Sequence, residues 1–177
     1  METITLYPSN WLYNAGVVGL LNVLENAGEN VESWLEEDGS VSVKFQTSKN
    51  EEEIAEEIFK KWEELSPKRK SGKSAVYGDR YAYYANQTEK SIKERIKLFL
   101  KGGNISRVQR RSLIKVCAFC FKEEKIKKED IKPLTQAYSN ILLASERTFS
   151  NLYWNCSAAD YVCSKCQFPI MCHHLAL

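Results

Sequence analysis

The sequence predicts an α+β fold: helices with a small antiparallel β-hairpin or sheet, in which two distant cysteine knuckles meet at one structural site. Three observations carry this. Segments with apolar residues at helical spacing flank a short alternating stretch centred on Asp38-Gly39. Cys117/Cys120 and Cys163/Cys166 are two Cys-x-x-Cys pairs. A chain of 177 residues with 44% hydrophobic content can bury a core without a disulfide framework.

The elements follow in order. Ser9 or Asn10 can cap a first helix in which Leu12, Ala15, Val18, Leu20, Leu21 and Leu24 cover more than one face. Such a helix belongs in a core, with Gly16 and Gly19 allowing close packing, and Asn26 to Gly28 end it. Alternation from Val31 to Phe45 on either side of Asp38-Gly39 predicts a hairpin. Ser48 with Glu51 reads as a capping box, followed by Ile54, Ile58, Trp62 and Leu65 on one helical stripe that Pro67 closes. The acidic residues Glu51, Glu52, Glu53, Glu56 and Glu57 suit the helix dipole and a solvated face. A basic loop runs from Ser66 to Ser74, and Tyr77 to Tyr84 reads as extended. Thr88 can cap a helix to Lys101, Ser106 another running toward Cys117, and Glu129 to Asn151 reads as mostly helical. The organisation expected is an acidic helix-hairpin-helix part (1–66), a basic loop and helices (67–116), and a cysteine-rich region with a helical insertion (117–177), all within one domain.

Two residues between paired cysteines let one tight turn present both sulfurs to the same ion, so Cys117, Cys120, Cys163 and Cys166 fit a structural Zn²⁺ site. Metal closing the long loop between the knuckles would add ligation free energy to folding. Cys156, Cys172, His173 and His174 stay open as substitute ligands, because zinc accepts either chemistry. A redox centre of the thioredoxin kind needs one knuckle, not two. The longest apolar run, Trp11 to Leu24, is too short to span a bilayer and no basic segment precedes it. The expected location is the cytoplasm, where cysteines stay reduced.

Charge is unevenly placed. Residues 1–66 carry 14 acidic and 4 basic side chains, whereas residues 67–177 carry 9 and 21, so the modest total of +2 hides two opposed halves. Nucleic acid is the partner this split points to. Lys68, Arg69, Lys70 and Lys73 crowd one loop; Lys90, Lys93, Lys97 and Lys101 form one helical stripe; Arg107, Arg110 and Arg111 extend it. Such groups suit phosphate contact. Tyr81, Tyr83, Asn86 and Gln87 are possible base contacts, through stacking and amide readout, and the tyrosines also fit half-buried strand positions.

Catalytic patterns are missing. The two histidines, His173 and His174, adjoin each other near the C-terminus, with no triad-like arrangement upstream and no His-x-Glu before a knuckle. The four aspartates are scattered, and Gly72-Lys73-Ser74 has Pro67 where a phosphate-binding loop needs its first glycine. A non-enzymatic protein is expected, the rival classes being a zinc-stabilised protein–protein adaptor and a nucleic-acid-modifying enzyme.

The stretch Tyr7-Pro8-Ser9-Asn10-Trp11-Leu12-Tyr13-Asn14-Ala15-Gly16-Val17-Val18-Gly19-Leu20-Leu21-Asn22-Val23-Leu24-Glu25 resembles the opening of the large subunit of type I-B CRISPR interference (Cascade) complexes. Members of that family also carry two widely spaced cysteine knuckles, matched here by Cys117/Cys120 and Cys163/Cys166. The resemblance implies that this chain corresponds to the N-terminal part of a longer subunit without catalytic activity. Such a subunit recognises the short motif beside a double-stranded DNA target and assists duplex opening. It works within a guide-RNA complex and its other subunits, and a separate helicase-nuclease is then recruited.

Overall fold

The computed structural model describes residues 3–45, 49–66, 68–69, 80–81, 88–102, 112–127, 153–154, 157–158 and 161–176. In chain order the elements are β1 (Ile4–Leu6), α1 (Trp11–Asn26), a 3-10 turn (Val31–Trp34), β2 (Val41–Val43) and α2 (Glu51–Leu65). There follow β3 (Lys68–Arg69), β4 (Arg80–Tyr81), α3 (Glu89–Leu100), β5 (Ser112–Val116) and β6 (Glu123–Lys127). β7 (Tyr153–Trp154), β8 (Ser157–Ala158), α4 (Ser164–Met171) and a 3-10 turn (His173–Leu175) complete the described chain. The strands form two-stranded antiparallel pairs, β1–β2, β3–β4, β5–β6 and β7–β8. Helices with small antiparallel sheets are the α+β arrangement the sequence predicts.

Local chemistry sets the helix ends. Asn10 caps α1 by accepting from Tyr13 N at 3.0 Å. At the other end Glu29 N donates to Leu24 O and Gly28 N to Glu25 O, a Schellman closure with Gly28 at φ +93°. Thr88 caps α3 in a reciprocal pair with Ser91. The capping box of α2 lies two residues beyond the expected one. Asn50 Oδ1 accepts from Glu53 N at 2.9 Å and Glu53 Oε2 accepts from Asn50 N at 3.1 Å. Asparagine caps as well as serine, and this start places Glu51, Glu52 and Glu53 together in the first turn, where the dipole favours them.

The hairpin expected over 31–45 is corrected. Val31–Trp34 is a 3-10 turn, and β2 pairs instead with β1, in the register Ile4↔Val43, Thr5↔Ser42, Leu6↔Val41. Asp38-Gly39 still reverses the chain. Glu36 N reaches Ser40 O, Asp38 Oδ1 takes Ser40 N at 2.8 Å, Gly39 sits at φ +78°, and one isolated bridge joins Leu35 to Val41. Burial decides between the two partners. Ile4, Leu6, Val41 and Val43 all enter the core, whereas Val31 and Trp34 point inward at a spacing of three, which suits a helical turn. The helix expected to run from Ser106 toward Cys117 is also corrected at its C-terminal end, because Ser112–Val116 is a strand paired with β6. Residues 103–111 lie outside the described residues, as does the expected helix over Glu129–Asn151.

Among the described residues one core runs from Leu6 and Leu20 to Trp62, Phe99, Phe119 and Phe168. Its tightest seam joins the two ends of the sequence. α1 lies against α4 and the C-terminal 3-10 turn, with Asn22 Nδ2 donating to Leu175 O at 3.0 Å. Gly16 and Gly19 face backbone there. A Cβ on Gly16 would sit 2.5 Å from Pro169 O, and one on Gly19 would sit 1.9 Å from Cys172 O. Lys165 Nζ adds a 2.8 Å bond to Thr5 O in β1.

Overpacking typically costs 1–3 kcal/mol, and the obstacle here is backbone that cannot swing away. Gly19→Ala is expected to destabilise by about 3 kcal/mol or more, and Gly16→Ala by less, in chemical denaturation followed by circular dichroism. Equal stability of Gly19→Ala and the parent would mean that α1 is not seated on the C-terminal turn.

Candidate metal centre

The first knuckle sits at the tip of the β5–β6 hairpin. Val116 pairs with Glu123, and Cys117 N donates to Lys122 O at 3.0 Å as the chain turns. Phe121 N returns to Cys117 O, with Phe121 in the left-handed region at φ +57°. This turn holds Cys117 and Cys120 on one side. The second knuckle is a helix start: Cys163 is the N-cap of α4 and Cys166 lies in its first turn, Cys166 N bonding to Cys163 O. Tyr161 docks one knuckle on the other. Its carbonyl accepts from Ala118 N at 3.0 Å, and its hydroxyl donates to Glu124 Oε2 of β6 at 2.5 Å.

The four Sγ atoms lie within 4.8 Å of one another, the only such group of His, Cys, Asp or Glu among the described residues. Cys120 Sγ and Cys163 Sγ are 3.6 Å apart. A disulfide requires about 2.05 Å. A tetrahedral ion with thiolate bonds of about 2.3 Å sets its sulfurs roughly 3.8 Å apart. The spacing is that of a metal cage, and all four cysteines are free thiols. Cys163 N also points at Cys117 Sγ across 3.4 Å, an amide aimed at a ligand sulfur.

Electrostatics agree with the geometry. Hydrogen bonds from Cys117, Cys163 and Cys166 hold the Cys120 thiol far below its ordinary range. Hydrogen bonds with Cys117 and Cys120 push Cys163 upward, and Cys166 rises for the same reason with burial added. A bare cluster can therefore shed only part of its protons, because further thiolates would repel one another in a buried site. A divalent cation removes that limit. Four protein ligands fill a tetrahedral ion and leave no position for a reacting water.

The other candidate ligands stand apart. Cys172 is fully buried outside the cluster, and burial raises its thiol. His173 Nδ1 meets Ile170 O at 2.7 Å, while His174 Nε2 meets Ser66 Oγ at 3.0 Å and its ring stands edge-on to Trp62. Cys156 lies outside the described residues. Sequence reasoning missed Tyr13, Tyr161 and Glu124, which surround the cluster. Nothing in the spacing of the cysteines points to them.

The predicted nucleic-acid residues divide into two groups. Of the lysine stripe on α3, Lys93 Nζ lies 2.7 Å from both Glu56 and Glu89, Lys97 is 2.6 Å from Glu52, and Lys101 is 3.4 Å from Glu51. Lys93 also sits 4.6 Å over the Phe59 ring. The acidic face of α2 thus remains at the surface but pairs with α3, and the lysines hold the Glu52 and Glu56 carboxyls below their usual range. Lys90 is exposed at the start of α3. Lys68, Arg69 and Tyr81 belong to the β3–β4 pair, with Lys68 opposite Tyr81 and Arg69 opposite Arg80. Lys70, Lys73, Tyr83, Asn86, Gln87, Arg107, Arg110 and Arg111 lie outside the described residues. No described helix is long and apolar enough to cross a membrane.

A hairpin knuckle and a helix-start knuckle closing on one point define an α+β protein with a four-cysteine cluster able to hold a metal ion. Residues 111–177, which contain both knuckles, match the family described as CRISPR-associated protein (Cas_CXXC_CXXC), and this indicates a CRISPR-associated protein. Comparison with curated proteins and with solved structures finds no match.

Cys163→Ser is expected to lose the ion and several kcal/mol of stability. Cys172→Ala should keep one ion per chain by elemental analysis, and loss of metal from that variant would redraw the ligand set.

Acid should weaken the fold through the histidine pair. Burial, followed by the neighbouring His173, lowers His174 to about 4, and burial lowers His173 as well. An unfolded histidine titrates near 6.5. Below that pH the unfolded chain binds a proton that folded His174 refuses, so stability falls as pH drops from about 6.5 to about 4 and then levels. The stability difference between the parent and His174→Gln should shrink over this window. A constant difference would mean that His174 titrates normally in the fold.

Proposed function

We propose that this chain is a non-catalytic, DNA-contacting part of a CRISPR RNA-guided complex, held together by structural zinc, and corresponds to the N-terminal part of a type I-B large subunit. The observation that carries this is the closed four-cysteine cluster inside the segment that matches a CRISPR-associated family. Zinc is the ion of choice because it takes four thiolates tetrahedrally and needs no redox partner. The N-terminal run from Tyr7 to Glu25 adds the resemblance to the large subunit. Guide pairing then reads the target sequence, and the protein supplies shape, phosphate and adjacent-motif contacts on double-stranded DNA. The complex's other subunits and a recruited helicase-nuclease are its further partners.

The pairing of α2 with α3 favours one part of the basic surface over another. Lys93, Lys97 and Lys101 already have carboxylate partners, so a phosphate there must compete with glutamates. Lys68, Arg69, Lys70 and Lys73 lie on and after β3, whose register sets Arg69 opposite Arg80. This basic segment is the better phosphate contact. Tyr81, Tyr83, Asn86 and Gln87 would then read bases beside it.

A second reading, a zinc-stabilised adaptor that binds protein, draws on the β5–β6 hairpin, where Leu113, Ile114, Val116 and Phe121 are each about half exposed or more. Gel shifts with motif-bearing duplex, with and without the guide-RNA assembly, separate the two. Replacing Lys68, Arg69, Lys70 and Lys73 with Glu should weaken binding to every sequence alike and flatten the salt slope by up to about 0.9 for each phosphate no longer neutralised. Lys93→Ala with Lys97→Ala should do much less. Undiminished binding by the fourfold variant would favour the adaptor.

A further inference from the structure

Tyr161 stands just ahead of Cys163 in the chain, is buried, and grips the hairpin of the first knuckle at two separate points. Its carbonyl accepts from Ala118 N, within that knuckle, at 3.0 Å. Its hydroxyl donates to Glu124 Oε2 at 2.5 Å. Glu124 sits opposite Lys115 in the ladder, so one grip is on the turn and the other on the returning strand β6. A single hydrogen bond would leave the approaching chain free to pivot about it. Two bonds, made by the backbone and by the far end of the side chain of one residue, remove that pivot and fix an orientation. Cys163, which caps α4, follows this clamped residue closely, and its own N–H points at Cys117 Sγ across 3.4 Å.

A phenylalanine at this position would fill nearly the same space, so packing alone does not account for the hydroxyl. What the hydroxyl adds is placement, through a bond to a carboxylate that is roughly twice as strong as one between neutral groups. Sulfurs that share one ion must each fall within about 0.2 Å of the proper bond length. The long stretch of chain between Cys120 and Cys163 imposes no such precision by itself. We propose that the hydrogen bond between Tyr161 and Glu124 sets the second knuckle at the distance and angle from the first that four thiolates on one ion require. Both are positioning residues, and neither supplies a ligand atom to the cluster. With the pair intact, the second knuckle meets the ion already oriented. Without it, the cost of ordering that knuckle is subtracted from the binding free energy of the ion.

This inference rests on the four-cysteine cluster binding an ion, and the test separates the two. The full chain, Tyr161→Phe, Glu124→Ala, their double variant and Glu124→Gln are titrated with Co²⁺ and then with Zn²⁺ in competition. Each metal-free chain is also unfolded with urea. Tyr161→Phe and Glu124→Ala should each bind the ion about tenfold more weakly, or worse, the range seen when groups behind metal ligands are removed. The double variant should lose no more than either single one, because both break the same bond. Glu124→Gln keeps an oxygen that can accept from the hydroxyl and should recover most of the affinity. A pair that merely holds the hairpin in the fold would lower urea stability and leave the affinity of the folded chain unchanged. That result, or additive losses in the double variant, would overturn the proposal. If Tyr161→Phe does not fold, Glu124→Ala carries the test, since its side chain is only half-buried. Failure of that variant to fold would count against the proposal equally, by making the pair a requirement of the fold. A parent chain that takes up no ion would instead overturn the metal reading itself.

Discussion

Four cysteine sulfurs within 4.8 Å of one another cannot all be thiolates without a cation between them, and most of what surrounds them depends on that constraint. The hairpin tip and the start of α4 are far apart in sequence and are joined directly by few backbone bonds, among them Ala118 N to Tyr161 O. An ion held by the four sulfurs would supply the remaining cohesion. Because α4 and the C-terminal turn are also the bed on which α1 lies, a change at the cluster reaches the N-terminal helix through Pro169 and Cys172. The cysteine cluster, α4 and α1 thus pack as neighbours in one core.

The charge split has a second consequence. Opposed acidic and basic halves look at first like a surface made entirely for an external partner. Part of that charge is spent inside the molecule, where Glu51, Glu52 and Glu56 of α2 meet Lys101, Lys97 and Lys93 of α3. Each such exposed pair adds little stability, about 1 kcal/mol or less, but together they set the rotation of one helix against the other.

Four protein ligands around one ion would leave no position for a reacting water, which suits the contact role proposed above. On that proposal the cluster holds a scaffold in shape and the surface does the recognition. In a guide-RNA assembly that division is sufficient, since base pairing carries the sequence information.

The sequence by itself determined the helices at 11–26, 51–65 and 89–100, with their caps nearly in place, because each needs only local periodicity and a polar residue at its start. It also singled out the four cysteines that cluster, since Cys-x-x-Cys is a spacing that one turn can present. Tertiary structure decided what depends on partners remote in the chain. Strand Val41–Val43 could have paired with the segment before Asp38, and the burial of Ile4 and Leu6 assigned it to β1 instead. Leu-Ile-Lys-Val before Cys117 is short enough to read as helix or strand, and only β6 made it a strand. Whether a lysine faces solvent or a glutamate is likewise invisible in a single segment, as is the stacking of Tyr13 on Phe119. Such contacts form because the two ends of the chain fold onto each other, and no local pattern records which residues that brings together.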